Sequence, residues 1–366
     1  MAKRQGSVES VEVSRSFWAD KRVFLTGHTG FKGGWLSLWL QSLGAEVHGY
    51  ALSPPAEPGF FAVAGVRTGM ASSTLADIRD GESLRNAMKA ARPDVVFHLA
   101  AQPLVRYGYA HPVETFAVNV MGTVNVLDAV RETPGVKTVV NVTSDKCYEN
   151  DGSTRGYRES DPMGGFDPYS SSKGCAELVT SAYRRSFLQA AGVGVASARA
   201  GNVIGGGDWA AERLVPDFLR AMDARETLEI RSPRSTRPWQ HVLEPVSGYV
   251  ALAERLHAEG AAFAEPWNFG PVKDDVRSVQ WIVECLAGMR ADAKWRIVDT
   301  PQPHEAVVLE LDSGKARTRL GWRPRWRLKA ALQKTLEWHD AWRKAADMRS
   351  ATLAQIDEYR ASAAAD

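Results

Sequence analysis

Short apolar runs alternate with helical stretches through the first two hundred positions. Val23-Phe24-Leu25-Thr26 predicts a buried strand, and Trp35, Leu36, Leu38, Trp39, Leu40 and Leu43 then recur at helical spacing up to Gly44. Glu46 to Leu52 predicts a second strand, stopped by Pro54-Pro55. A helical stretch from Glu82 to Ala91 precedes a strand over Asp94 to Leu99, and a helix over Pro112 to Val130 precedes a strand over Val136 to Thr143. A long helix over Tyr169 to Leu188 precedes a strand over Gly194 to Ala200. Strands alternating with helices predict a parallel sheet with helices on both faces. The strands are nearly continuous apolar runs, as a sheet covered on both sides requires.

The rhythm coarsens after about Gly201, where shorter elements and most of the tryptophans follow. The predicted organisation is a loose extension at residues 1–16, a nucleotide-binding unit at 17–200, mainly a smaller α/β lobe for substrate at 201–346, and a tail at 347–366. No internal repeat or low-complexity segment interrupts this plan.

Composition narrows the partners. The 366 residues carry 45 basic and 43 acidic side chains, interleaved, for a formal net charge of +2. Without a basic block, neither nucleic acid nor an anionic membrane is an expected partner. No apolar run approaches the roughly 20 residues of a membrane span. The N-terminal residues are polar and do not form a secretory signal. Three widely spaced cysteines, Cys147, Cys175 and Cys285, fit reduced thiols in a cytoplasm, and fit neither a disulfide framework nor a metal site.

Three motifs carry candidate chemistry. Thr26-Gly-His-Thr-Gly-Phe-Lys-Gly33 follows a strand and opens a helix, with Gly27, Gly30 and Gly33 spaced G-x-x-G-x-x-G. Glycines there allow a tight turn and close approach of the backbone to a pyrophosphate, which the helix N-terminus then holds. A plain strand–loop–helix corner is the alternative. The fold class is therefore a Rossmann-type doubly wound sheet with a smaller C-terminal lobe. Ser53 stands where an acidic residue at the end of the second strand would grip the adenosine ribose. No arginine sits beside it for a 2′-phosphate, so NAD is expected over NADP. Asp77-Ile78 is either an adenine contact or a surface helix cap.

The second motif, Tyr169-Ser-Ser-Ser-Lys173, puts a phenol and a cation at i and i+4 on one helix face. The cation, together with a positive nicotinamide ring, is expected to lower the phenol from its usual value near 10, so that it exchanges a proton with a sugar hydroxyl. The third motif, Thr143-Ser144-Asp145-Lys146, ends a strand, at the edge where parallel sheets place their chemistry. An ordinary strand cap is its alternative. Asn119, within a helix, either holds a helix bulge or water near Lys173 or is a plain polar helix position.

Together these residues resemble the extended short-chain dehydrogenase/reductase family. TGHTGFKGGWL, VFHLAAQPLVR, NVMGTVNVLDAV, TSDKCY, GGFDPYSSSKGCAELV, RAGNVIGGGDW and RPWQHVLEP look like its CDP-glucose 4,6-dehydratase branch. The resemblance runs from about Phe17 to Asp347 and departs from the branch at the long N-terminus and at Ser53. It implies an NAD-dependent lyase that removes water from CDP-glucose in deoxysugar biosynthesis.

By position, the resemblance implies that Tyr169 is the phenolate and that Lys173 supports it and the nicotinamide ribose. Ser144 binds the sugar 4-hydroxyl, and Asp145 and Lys146 serve elimination. Thr26, Gly27, Thr29, Gly30, Phe31, Gly33, Asp77, Ile78, Leu99, Ala100, Ala101 and Asn119 would surround NAD. Gln102, Asn202, Arg213, Leu214, Arg237 and Asn268 would meet the nucleotide sugar, as would Trp239, His241 and His304 in less defined roles. The helices Pro112–Val130 and Tyr169–Leu188 match the pair that forms a four-helix interface, implying a homodimer or homotetramer. A 4-epimerase or another nucleotide-sugar dehydratase of this family, and a non-enzymatic NAD(P)-sensing regulator on the same fold, are the competing expectations.

Overall fold

The computed structural model describes residues 13–54, 57–152, 155–298 and 309–364. Seven strands form one sheet: Arg22–Thr26 (β1), Glu46–Ala51 (β2), Ser72–Leu75 (β3), Val95–His98 (β4), Thr138–Val142 (β5), Gly194–Ala200 (β6) and Pro266–Phe269 (β7). Their order is β7-β6-β5-β4-β1-β2-β3, and every neighbouring pair is parallel. The strand order reverses between β1 and β4, which opens a crevice at the carboxyl edge.

The helices of the first half are Phe31–Ser42 (α1), Gly81–Ala91 (α2), residues 112–131 (α3) and Pro168–Tyr183 (α4). Those of the second half are Leu214–Ala224 (α5), Leu243–Glu259 (α6), Val279–Met289 (α7), Leu328–Arg343 (α8) and Met348–Ala361 (α9). Local chemistry sets several starts. The Asp80 side chain accepts from Ser83 N at the head of α2, and Asp167 accepts from Ser170 N at the head of α4, with Pro168 in the first turn.

Successive strand residues point to opposite faces, so the sheet divides two cores. Leu25, Phe97, Val140 and Ala198 join Trp35, Trp39, Tyr249 and Trp338 on one side. Phe24, Val96, Val139 and Val195 join Leu84, Val126 and Leu188 on the other. A third core, with Phe218, Trp239, Ile282 and Leu332, fills the lobe built on α5, α7 and α8. Short two-stranded ladders, such as Thr227–Ile230 with Lys294–Ile297, stand apart from the seven-stranded sheet.

Two strands escape the sequence pattern. β3 reads SSTL, with no fully buried position at its place on the sheet edge, so periodicity gives it no signal. β7 returns to the sheet from beyond residue 201, and α6 packs beneath β5 and β6.

Both ends of the described chain are better fixed than their polar composition suggests. Of the extension expected to be loose at residues 1–16, residues 1–12 lie outside the described residues, and residues 14–16 cap and enter a helical turn at Arg15–Trp18. There Trp18 is fully buried and its Nε1 donates to Glu254 at 2.6 Å, as does Ser14 N at 2.9 Å. The expected tail holds α9, whose Ile356 and Tyr359 are buried. Tyr359 donates to Glu244 Oε2 at 2.6 Å, and Glu244 also accepts from the backbone of Arg325 and Trp326.

The crevice is framed by a buried ion pair. Glu177 on α4 meets Arg199 on β6 at 2.8 Å, with both side chains at most 5 % exposed. Glu177 also accepts from Thr143 Oγ1 and Ser197 Oγ, and Arg199 donates to Tyr148 Oη at 2.7 Å. Such a pair stands in a low-dielectric core because every lone pair is used, and removing one partner strands a buried charge. Replacing Arg199 by Met is therefore expected to cost roughly 3–5 kcal/mol of unfolding free energy. Urea denaturation measures it, and a wild-type midpoint in the variant would show that the pair does not hold this edge together.

Candidate active site

The corner from β1 into α1 is built for a close ligand. Gly27 has φ +78°, and a Cβ on it would stand 2.7 Å from Ala100 N. A Cβ on Gly33 would run into the Gly27 carbonyl, so the turn closes only with glycine at both places. Thr26 Oγ1 accepts from Leu99 N and Ala100 N, both at 3.1 Å, joining the ends of β1 and β4. Thr29 Oγ1 donates to Leu52 O at 2.9 Å. Gly30 begins α1 with no side-chain cap, so its first-turn amides are left for an anion. Phe31 packs edge-on against Phe60.

Leu99, Ala100 and Ala101 lie half-buried past β4, and Ser53 is exposed past β2. Past β3, Asp77 grips Arg79 at 2.6 Å and its carbonyl accepts from Tyr50 Oη, while Ile78 is buried. This cradle, which any Cβ would fill, fits a dinucleotide pyrophosphate.

The second half of the crevice comes from α4 and the end of β5. Tyr169 and Lys173 are 8 % and 6 % exposed. Ser144 begins a 3-10 turn over Asp145–Cys147, where its hydroxyl donates to Asp145 Oδ1 at 3.0 Å and accepts from Lys146 N at 3.2 Å. The Ser144 hydroxyl also acts to lower the Tyr169 phenol, so the two side chains face the same site. The three motifs of the sequence thus converge on one edge.

Burial dominates the electrostatics of this edge. It pushes the Tyr169 phenol up to about 12, against the downward pull of Ser144 and Arg213. Burial also brings Lys173 down to about 8, opposed by Cys147 and Glu177. Without a bound nicotinamide ring, desolvation outweighs the charges that would acidify the phenol. Burial likewise raises the Asp145 carboxyl, against Lys146, Ser144, Arg237 and Lys32. Asp145 Oδ2 is buried with no partner among the described residues, and a Cβ on Gly201 would stand 2.8 Å from it. Lys146 beside it is partly buried.

Asn119 sits on a π-helical turn, Ala117–Met121, inside α3. Its side chain accepts from Gln102 N at 2.9 Å and donates to Gln102 O and Ser172 Oγ at 3.1 and 2.8 Å. It staples the loop after β4 to α4 between Tyr169 and Lys173. Gln102 spends its own amide on Thr115 Oγ1 and Leu104 N, which leaves it little to offer a sugar.

The remaining candidates divide. Arg213, at the head of α5 before Leu214, holds Asp208 at 2.8 Å and acts electrostatically on Tyr169 and Lys32. Asn202 is half-buried near the same edge, and its carbonyl accepts from Gln240 N. Arg237 donates to Thr236 O at 2.9 Å and acts on Asp145.

Three others are drawn away. Asn268 is fully buried, bonded to Tyr148 Oη, Tyr157 O and Asp312 O. His241 is fully buried against Trp35 and Trp326, and burial lowers it to about 3, so it stays neutral. Trp239 donates to Arg277 O and packs into the lobe core. In the structure these bonds and rings hold all three side chains in packing positions. His304 lies outside the described residues.

One residue was missed. Lys32, in the first turn of α1, reaches Tyr249 Oη at 3.4 Å. Burial, with Lys173 and Arg213, brings it down to about 7, opposed by Asp145. The signal was a cation inside an otherwise glycine-rich, apolar corner.

Comparisons with known proteins agree with this arrangement. The family profile described as GDP-mannose 4,6 dehydratase matches residues 24–335. A CDP-glucose 4,6-dehydratase of Salmonella typhimurium is 52 % identical over 95 % of this chain and 98 % of its own. Among solved structures, the dTDP-glucose 4,6-dehydratase DesIV of Streptomyces venezuelae, with NAD bound, is 25 % identical. It superposes with a TM-score of 0.75 over 89 % of this chain and 99 % of its own. An epimerase of Methanothermobacter thermautotrophicus gives 0.77 at 25 % identity, over 91 % and 96 %. The chain belongs to the GDP-mannose 4,6 dehydratase family, within the extended short-chain dehydrogenases/reductases.

Proposed function

We propose that this protein is an NAD-dependent nucleotide-sugar 4,6-dehydratase that converts CDP-glucose to CDP-4-keto-6-deoxyglucose and water. The observation that carries the reading is one buried edge holding Tyr169, Ser144 and the Asp145–Lys146 pair, with one carboxyl oxygen of Asp145 unpartnered. The near full-length likeness to a CDP-glucose 4,6-dehydratase supports the choice of base.

The glycine corner would hold NAD, which supplies the hydride acceptor at sugar carbon 4 and returns the hydride at carbon 6. Ser144 orients the 4-hydroxyl and Tyr169 removes its proton. The ketone so formed acidifies carbon 5. Lys146 takes the carbon 5 proton, and Asp145, whose carboxyl burial raises above its usual value, gives a proton to the departing 6-hydroxyl. As hydride comes back to carbon 6, Lys146 returns its proton to carbon 5 while carbon 4 stays a ketone, and the proton held by Tyr169 restores Asp145, so oxidation and reduction cancel and one water is lost. Arg213, with Arg237, supports the diphosphate as two-pronged donors. An epimerase needs no elimination pair, so Asp145–Lys146 favours the dehydratase. A sensing regulator needs neither Tyr169 nor Lys173.

Val113 and Met121 on α3, Leu178 on α4 and Phe187 in the π-helical turn that follows α4 are between 48 % and 82 % exposed. A second copy pairing these helices as a four-helix interface would cover them. The three cysteines are free and no helix among the described residues is long and apolar enough to cross a membrane, in keeping with a cytoplasmic homodimer.

Four outcomes are expected. In a turnover screen of CDP-, dTDP-, UDP- and GDP-glucose, the CDP-glucose product should be lighter by one water. Lys146→Met should lose activity by about a thousandfold while NADH absorbance accumulates. Normal turnover in that variant removes Lys146 from the mechanism, and an unchanged product mass makes the enzyme an epimerase. Ultraviolet titration of tyrosinate should give a component near pH 12 that Tyr169→Phe removes and that bound NAD moves to lower pH. A component that stays in place when NAD binds takes Tyr169 away from the nicotinamide. Met121→Glu with Leu178→Glu should give a monomer by light scattering, whereas a monomeric wild type discards the interface.

A further inference from the structure

On the face of the sheet covered by α1, α6 and α9, a cavity of about 300 Å³ lies between the turn at Gly321–Arg325 and the end of α9. None of the catalytic candidates lines it. Its size is at the lower end for small-molecule sites, about 300–1,000 Å³. Aromatic walls come from Trp39 on α1, Trp322 and Tyr359. Ser247 supplies a hydroxyl on α6, held by Trp322 Nε1 at 2.9 Å.

Two features make it more than a packing gap. Trp39 is 1 % exposed, yet its indole N–H has no acceptor among the described residues. A buried donor without a partner is costly, which marks this wall as imperfectly packed. Three guanidinium groups also gather at the rim. Arg323 is exposed, with no ion pair among the described residues. Arg360 has only a loose contact with Asp357, at 3.7 Å. Arg325 spends one nitrogen on the carbonyls of Arg360 and Ser362. One carboxylate among three cations leaves the rim positive.

We propose that this cavity binds a small organic anion, a phosphate ester or carboxylate on a flat apolar body. The body lies against Trp39, Trp322 and Tyr359, and the anionic group meets Arg323 and Arg360. The proposal does not depend on the catalytic reading.

Hydrogen–deuterium exchange on the NAD-loaded protein tests it, using phenyl phosphate, benzoate and neutral benzyl alcohol as probes. Phenyl phosphate or benzoate should protect amides in residues 321–325 and 353–361, and the stronger of the two identifies the anionic group. Arg323→Ala with Arg360→Ala should weaken that protection about tenfold or more, as loss of charge-assisted bonds does, and should leave turnover unchanged. Arg323→Ala alone, at an exposed position, should weaken it in the same direction. Absence of protection at millimolar probe, equal protection by benzyl alcohol, or unchanged affinity in the variants overturns the proposal.

Discussion

The ion pair between Glu177 and Arg199 sets the frame in which the crevice exists. Tyr169, Lys173 and Glu177 recur every four residues along α4 and so share one face. Glu177 fastens that face to the ends of β5 and β6 through Thr143, Ser197 and Arg199. Thr143 is followed directly by Ser144, so one carboxylate fixes the helix and the strand end that must meet. Arg199 then reaches Tyr148, which in turn holds Asn268 on the last strand. The positions of Tyr169 and Ser144 follow from bonds made two turns below them.

The same burial that makes the frame rigid shapes its proton chemistry. Desolvation moves Tyr169 and Asp145 up and Lys173 and Lys32 down, each toward its neutral form. Asp145, Lys173 and Lys32 are so moved toward neutral pH, where proton exchange is easiest, whereas Tyr169 is moved away from it. Arg213 is a charge of the chain that pulls Tyr169 down, and a cationic ring held at the glycine corner would add to it.

Much of this was legible in the sequence because the relevant residues obey local rules. Strand runs, the glycine corner, the Tyr169–Lys173 spacing and the Ser144–Lys146 run each announce themselves within a few residues. What was not legible depends on distant partners. β3 is a polar edge strand, and β7 joins the sheet only through pairing with β6. His241 and Asn268 look like ligands by type, but their rings and amides are claimed by Trp326 and Tyr148. Lys32 was passed over because a loop read for its glycines hides the one charge within it. Asn119 was legible as a bulge-forming position, though its exact partners needed the loop after β4 in place.

The return of β7 bears on how the chain acquires its shape during synthesis. When the first two hundred residues have emerged, β6 is an open edge, and the apolar undersides of β5 and β6 still lack α6. An unpaired edge beside bare apolar surface is a template for wrong pairing. A nascent chain stalled near residue 200 would be a client for chaperones, and one released near residue 270 would carry a closed sheet. Splitting the gene at the apparent boundary between halves would yield two fragments that each lack part of a common core.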